Sequence, residues 1–366
     1  MTAASIGTTW PVHPVRPRRG SDRRVNLSSN ELIHPAVPHL VKRMTSGFEP
    51  ADLTHYPVQD APAESAAELL GRRPDEILLG PGSDSMIRLI VAAVRDHVGG
   101  QLLTQYPNYE AWEATAAIAG GWDVRRIGKP ADGRWLPAIQ SAADGCDRAL
   151  VAVSWPNGPD GHLPDRRELA ALADTCQRRG HLLVLDGCYA AFCGDHEWLA
   201  RLADDSIVVL LSWSKMFGLA GGRLAVGVGG SKVVQYLRAF RQEDHVNTLM
   251  LSALTATTAV HDDFRAVWAD IGDCREQART LLSEAGHAVA PSGGNFLHVP
   301  LADAATSGRV TRRLSDLGYR VRDMAETPGL RHHMRFTVAC GPVWERFLQD
   351  LEPLLSSVPP SEAIER

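Results

Sequence analysis

The 366-residue chain has no apolar run approaching the roughly 20 residues that span a bilayer as a helix. Its first residues, Met1 to Pro14, are mixed and lack leucine, so they do not read as the apolar core of a secretory signal. No Cys-x-x-Cys pair occurs among the cysteines at 146, 176, 188, 193, 274 and 340, and no histidine cluster has metal-ligand spacing. No bound metal is expected, and the reducing cytoplasm is the natural compartment. An excess of positive charge is also missing: the net charge is −5, which argues against a nucleic-acid partner. The local basic run from Arg16 to Arg24 follows several prolines and is expected to be a flexible or subunit-clasping arm. The chain contains no internal repeat, no Gly-x-Gly-x-x-Gly and no Walker lysine, which weakens any nucleotide-binding reading.

What is present is a hydrophobic content of 44%, enough for a large core and two domains. Short apolar strands alternate with helical stretches through the middle of the chain. Strands are expected at Glu76–Leu79, Gln101–Thr104, Ala149–Ser154, His181–Leu185 and Ser206–Leu211. Helices are expected at about Ser83–His97 and Tyr109–Ala119, and over Asp165–Arg179 with Asp165 as N-cap. This alternation predicts an α/β fold, a mostly parallel sheet with helices on both faces. Ligands of such folds bind outside the carboxyl ends of the strands. After about residue 245 the pattern changes. Long helices are predicted over 250–286, then strands at Asn295–Val299, Tyr319–Arg322 and His333–Val338, as in a smaller α+β domain. The expected organisation is an N-terminal arm or lid over residues 1–40, a large domain over 41–245 and a small C-terminal domain over 246–366.

Four motifs stand at predicted strand ends. The first is Ser212-Trp213-Ser214-Lys215-Met216-Phe217-Gly218-Leu219-Ala220-Gly221-Gly222-Arg223, in which an apolar strand delivers a lysine into a glycine-rich turn. Burying a lysine as a cation is costly, desolvation lowers its pKa, and a neutral amine attacks carbonyls. That chemistry holds an aldehyde cofactor as a Schiff base. An isolated lysine after a strand is more often a surface turn residue. Ser212-Trp213-Ser214-Lys215 also fits the Ser-x-x-Lys of penicillin-binding proteins, but the companions Ser-Asp-Asn and Lys-Thr-Gly are absent, and there the motif opens a helix.

In the second motif, Leu79-Gly80-Pro81-Gly82-Ser83-Asp84-Ser85, a strand turns through glycines into a helix. Free amides at that helix start can bind phosphate, although a tight turn N-capped by Ser83 explains the residues equally well. In the third, Leu185-Asp186-Gly187-Cys188-Tyr189, a strand ends in an aspartate. Its carboxylate can pair with a protonated pyridine nitrogen and make the ring an electron sink, with the tyrosine hydroxyl in reach of the ring's phenolic oxygen. Taken alone, Asp186 is more often a turn residue or metal ligand. The fourth, Val153-Ser154-Trp155-Pro156-Asn157-Gly158-Pro159-Asp160-Gly161, reads by itself as a rigid loop.

In this order the motifs resemble the class I/II aminotransferases of fold type I, and most of all their histidinol-phosphate aminotransferase branch, over about residues 25 to 355. The resemblance implies pyridoxal 5′-phosphate as cofactor, bound to Lys215 as a Schiff base. It implies that Lys215 moves a proton, that Asp186 keeps the ring nitrogen protonated and that Tyr189 donates to the ring oxygen. Ser83, Asp84, Ser212 and Arg223 are then the phosphate contacts, and Tyr109 stacks on the ring. Tyr56 reaches the phosphate of a neighbouring subunit, which implies a homodimer with shared active sites. Arg335 clamps the carboxylate of a small amino-acid substrate, Arg322 is a second anion contact, and Asn30 belongs to a segment that closes over the substrate.

Three departures from the family pattern are visible. The asparagine of the family loop that bonds the ring oxygen is here Gly158, unless Asn157 takes its place. The family Asp-Glu-Ala-Tyr is here Asp186-Gly187-Cys188-Tyr189, and Asn30-Glu31-Leu32-Ile33 lacks the second Asn-Pro. The leading expectation is an aminotransferase acting on an α-amino acid or amino-alcohol phosphate with a keto acid. The alternative is a decarboxylase, lyase or oxidative deaminase built on the same lysine and aspartate and serving specialised biosynthesis. A purely binding or regulatory protein is disfavoured because Lys215, Asp186, Tyr189 and Arg223 are all present.

Overall fold

A computed structural model describes residues 23–130, 133–242, 244–327 and 329–358. Most of the basic run Arg16–Arg24, and residues 1–22 of the expected arm, lie outside the described residues. The described residues begin with β1 (Val25–Asn26), α1 (Val37–Thr45) and α2 (Asp60–Leu70). Then come β2 (Ile77–Gly80), α3 (Ser83–Val94), β3 (Gln101–Tyr106), α4 (Ala111–Ala119), β4 (Asp123–Gly128) and α5 (Trp135–Asp144). The alternation continues through β5 (Leu150–Ser154), α6 (Arg166–Arg179), β6 (Leu182–Asp186), α7 (His196–Leu202), β7 (Ile207–Ser212), the one-turn α8 (Trp213–Met216) and β8 (Ala225–Val228). Three helices follow: α9 (Ser231–Phe240), α10 (Thr248–Thr255) and α11 (His261–Glu284). The last third holds β9 (Phe296–Pro300), α12 (Ala304–Asp316), β10 (Tyr319–Arg320), β11 (Arg322–Asp323), β12 (His333–Thr337) and α13 (Pro342–Ser356).

Seven strands form the central sheet in the order β2-β8-β7-β6-β5-β3-β4. The strands β3 to β7 pair in parallel, while β8 runs antiparallel to both β2 and β7. Every residue of β5, β6 and β7 is buried, as continuous apolar strands covered on both faces should be. Alternate side chains feed two cores: Leu183, Leu185, Val209 and Leu211 pack on one side, Leu182, Val184, Val208 and Leu210 on the other. The edge strand β4 was not among the expected strands. It exposes Asp123, Arg125 and Arg126, charges that discourage a further strand from pairing there.

Helix α6 forms where expected: Asp165 Oδ1 accepts from the N–H of Arg167 at 2.7 Å, and Gly180 ends the helix at φ 72°. The reversal at β8, also not expected, has a geometric consequence. It leaves β2 parallel to β7, so the carboxyl ends of β2, β5, β6 and β7 share one rim. The β7–β8 connection, carrying Lys215 and Arg223, lies on that rim too.

A second sheet, β11-β12-β9, is antiparallel. The N-terminal segment is tied to this region: β1 pairs with β10, and Leu27 O accepts from Thr337 N at 2.7 Å. Helix α10 packs against α1 and α2, and one hydrophobic core runs from Leu27 to Leu355. Among the described residues, no helix is long and apolar enough to cross a membrane.

Candidate active site

Lys215 lies in α8, so one helical turn stands where a glycine-rich turn was expected directly after the strand. Ser212 is the N-cap of that turn. The absence of a helix therefore does not separate this motif from Ser-x-x-Lys; the missing companion motifs do. Lys215 Nζ donates to Ser29 O at 2.5 Å and stands 5.8 Å from the centroid of the Tyr189 ring.

Tyr189 packs edge-on against Phe296, centroid to centroid 5.2 Å, and its hydroxyl accepts from Asn30 Nδ2 at 2.9 Å. Burial pushes its pKa up to about 12, against the opposing pull of Arg335 and Asn30. Asp186 ends β6. Its carboxylate accepts from Cys188 N at 3.3 Å and makes no ion pair among the described residues; burial raises its pKa. Burial, followed by the charge of Asp186, also holds the Cys188 thiol well above its ordinary pKa.

At the end of β2 the N-cap of α3 is Gly82, at φ 88° and ψ 159°, and not Ser83 as expected. Ser83 and Asp84 are the first helical residues, where backbone amides lack intrahelical acceptors. A Cβ at Gly82 would stand 2.7 Å from Arg223 Nη2, so the missing side chain is what lets the guanidinium lie over the turn. Arg223 itself has φ 58°, and its Nη2 lies 3.9 Å from Asp84 Oδ2. Tyr109 Oη donates to the other oxygen of the same carboxylate at 2.8 Å. Ser212 is buried at the same rim.

Gly158 faces the tyrosines. A Cβ there would be 3.6 Å from Tyr189 Cε2 and 4.0 Å from Tyr109 Cβ. The amide nitrogen of Asn157 is spent elsewhere, donating to Pro107 O at 3.1 Å and Asp160 Oδ1 at 2.8 Å. Arg335 is buried on β12, donates from Nη2 to Ser28 O at 3.0 Å and lies 5.3 Å over the Phe296 ring. Its register partner on β11 is Arg322, which is exposed. Tyr56 is 85% exposed and borders a surface groove with Val58 and Leu251.

The fold thus brings Lys215, Tyr189, Asn30 and Arg335 into one linked group, and Gly82, Ser83, Asp84, Tyr109 and Arg223 into another beside it. Ser28 and Ser29 escaped the sequence reading because they act through backbone carbonyls, which leave no side-chain signature. Phe296 carried no motif of its own. The fold also gathers His196, Glu197 and His261, with ligand atoms within 4.8 Å of one another, which their spacing along the chain did not announce. Arg265 and Arg201 stand 3.5 and 3.8 Å from that glutamate, so its charge is already engaged.

A sheet whose inner strands deliver an aspartate and a lysine to one rim, beside a helix start faced by an arginine, is the frame of the fold type I pyridoxal 5′-phosphate enzymes. The protein is one of these transferases. The sequence pattern of aminotransferase class I and II matches residues 22–345, and the chain belongs to that family. A histidinol-phosphate aminotransferase of Geotalea uraniireducens is 27% identical over 332 residues, covering 90% of this chain and 92% of that protein. The histidinol-phosphate aminotransferase structure from Sinorhizobium meliloti, in complex with pyridoxal-5′-phosphate, superposes with TM-score 0.78 at 22% identity, covering 91% of each chain. That from Clostridium acetobutylicum gives 0.79 at 18% identity, covering 91% of this chain and all of the other (100%).

Proposed function

We propose that the protein exchanges an amino group between a keto acid and an α-amino acid or amino-alcohol phosphate, in the manner of the histidinol-phosphate aminotransferases. The observation that carries the substrate reading is the pair Arg335 and Arg322, adjacent across the β12–β11 register. A buried guanidinium suits a planar carboxylate or phosphate, and an exposed one beside it adds a second anion contact.

The residues fit pyridoxal 5′-phosphate on two observations. Asp186 is a buried carboxylate without a cationic partner among the described residues, as a protonated ring nitrogen requires. The bare Gly82 turn under Arg223, opening into the amides of Ser83 and Asp84, suits a phosphate. Ser212 and Arg223 would complete that hold, and Tyr109 would cover the ring. When bound, the cofactor supplies an electron sink for the charge left at the substrate Cα. Lys215 would carry the proton at that carbon, Tyr189 would donate to the ring oxygen, and Arg335 would fix the substrate carboxylate. Asn157 is not given a cofactor contact in this reading, since its N–H groups are already used. The segment with Asn30 forms one wall of the site.

The same reading includes a homodimer in which Tyr56 serves the partner's site, and a division into a large domain to about residue 245 and a small one beyond it. Limited proteolysis near that point would test the division. The six free cysteines support a reducing compartment such as the cytoplasm, which cell fractionation would test.

The decisive experiment is a half-reaction. Protein loaded with pyridoxal phosphate and given amino-acid or amino-alcohol-phosphate donors should lose its visible band as the pyridoxamine form accumulates and a carbonyl product appears. Lys215→Ala should do neither. Release of carbon dioxide, ammonia, thiol or peroxide without need of a keto-acid acceptor would overturn transamination in favour of lyase, decarboxylase or oxidase chemistry.

A further inference from the structure

Asn30 is buried, and each polar atom it carries is engaged. Its N–H donates to Thr337 Oγ1 at 2.9 Å, its O accepts from Asn295 Nδ2 at 3.2 Å, and its Oδ1 accepts from Thr337 Oγ1 at 3.4 Å. The amide turns its oxygen end toward Thr337. The Nδ2 end meets the Tyr189 hydroxyl at 2.9 Å. To make these bonds the backbone takes φ 54°, a left-handed conformation that asparagine tolerates better than most residues.

Position 158 stands beside the same tyrosine. A Cβ there would make only ordinary contacts, 3.6 Å to Tyr189 and 4.0 Å to Tyr109, and its φ is not positive. The loop thus has room for a Cβ next to Tyr189 and carries none, while the amide nitrogen of Asn157 is committed elsewhere.

We propose that Asn30 is a positioning residue that supplies, through Tyr189, the hydrogen-bond donation that an amide at position 158 would give directly to the cofactor's ring oxygen. The proposal rests on the cofactor reading above. Its physical basis is the direction of the Asn30 bond. Donation into the phenol oxygen leaves the tyrosine O–H free to point elsewhere, and a hydroxyl that accepts a hydrogen bond becomes a stronger donor. Arg335 beside the ring offers no acceptor for that proton, and the Asp186 carboxylate, which acts on the hydroxyl through its charge, makes no hydrogen bond to it. An oxygen acceptor in the pocket would receive it.

The test uses two variants. Asn30→Gly removes the amide and leaves a residue at ease with positive φ; Asn30→Asp keeps the shape and Oδ1 but loses the donor. In cofactor-free protein with tyrosines labelled at 13Cζ, the resonance assigned by Tyr189→Phe should shift in both. In loaded protein, negative charge on the ring oxygen would hold a proton on the Lys215 nitrogen, and a donor to that oxygen offsets the charge and lets the proton leave at lower pH. Weakening that donor should raise the pH midpoint of the visible band by about half a unit to one unit, and Gly158→Asn added to Asn30→Gly should bring it back. An unmoved Tyr189 resonance overturns the proposal. So does a band midpoint that stays put, or one that Gly158→Asn does not restore, since a merely structural role gives those results. Wild-type protein that forms no visible band with pyridoxal phosphate overturns the cofactor reading as well, whatever the resonance does.

Discussion

Arg335 and His298 stand opposite each other in the register of β12 and β9, side by side on one face of the small sheet. Both are buried, and only one is charged. Burial, reinforced by Arg335 and His333, holds the His298 ring well below its ordinary pKa, while burial lowers Arg335 to about 10, still a cation at neutral pH. A lysine in this place would be easier to neutralise and could not grip a planar anion with two parallel donors. Arg335→Lys should lower kcat/KM for an amino-acid donor by roughly 30- to 100-fold, about 2–3 kcal/mol of transition-state binding. Single-turnover kinetics will show it; an unchanged value means that the substrate carboxylate binds elsewhere.

The Gly82 turn makes a sharper demand. Alanine there meets both the positive φ of 88° and the guanidinium of Arg223 at 2.7 Å. The backbone conformation alone, φ 88° with ψ 159°, costs about 1–3 kcal/mol for a residue with a Cβ. Gly82→Ala should bind pyridoxal phosphate at least about tenfold more weakly while keeping its circular dichroism, because the displaced arginine no longer faces the helix start. Equilibrium dialysis would measure the loss, and wild-type affinity would remove the phosphate from this turn.

His196 makes the fold sensitive to acid. Burial first, then His261, Arg265 and Arg201, lower its pKa from 6.5 to about 3. The unfolded chain therefore binds a proton below pH 6.5 that the native chain refuses. The stabilisation from the neutral ring is complete above pH 6.5 and is lost as the pH falls toward 3. Urea midpoints should decline below pH 6.5, with a slope of at most about 1.4 kcal/mol per pH unit for each such histidine. His196→Phe, which preserves the edge-on packing against Trp268, should flatten that decline; an equal slope in the variant would place the acid sensitivity elsewhere.

Leu53, Tyr56 and Val58 are 64, 85 and 72% exposed, an apolar stretch that a partner subunit would cover. Leu53→Asp should shift the protein toward monomer in sedimentation velocity. Its activity should then fall at low protein concentration and recover at high concentration, if Tyr56 serves the partner's site. A wild-type protein that sediments as a monomer would remove the shared-site reading.

Much of this site is legible in the sequence because its side chains terminate apolar runs. Asp186 closes β6, Gly82 and Ser83 follow β2, and Lys215 follows β7, so strand ends and motif coincide. Gly82 could not be recognised as the cap from its sequence, since Ser83 is the better side-chain cap and only the backbone angle decides. Strand β8 is four residues between glycine turns and offers no alternation to read, yet its reversal places Arg223 on the rim. The Asn30–Tyr189 bond spans 159 residues and depends on the register of β12, which fixes Thr337 beneath Asn30. Local sequence holds no record of such a pairing.

The bond from Asn30 to Thr337 joins residues separated by 307 positions. During synthesis the parallel strands through Ser212 can pair as they emerge, but the wall of the pocket formed by Ser28, Ser29 and Asn30 lacks its bonds to Thr337 and Arg335 until β12 leaves the ribosome. The carbonyl of Ser29 and the amide of Asn30 are made long before Lys215 and Tyr189, which they hold, but the residue that fixes Asn30 is made last. A chain released early could assemble its central sheet and still lack a finished pocket, so cofactor capture would report that translation had passed Thr337.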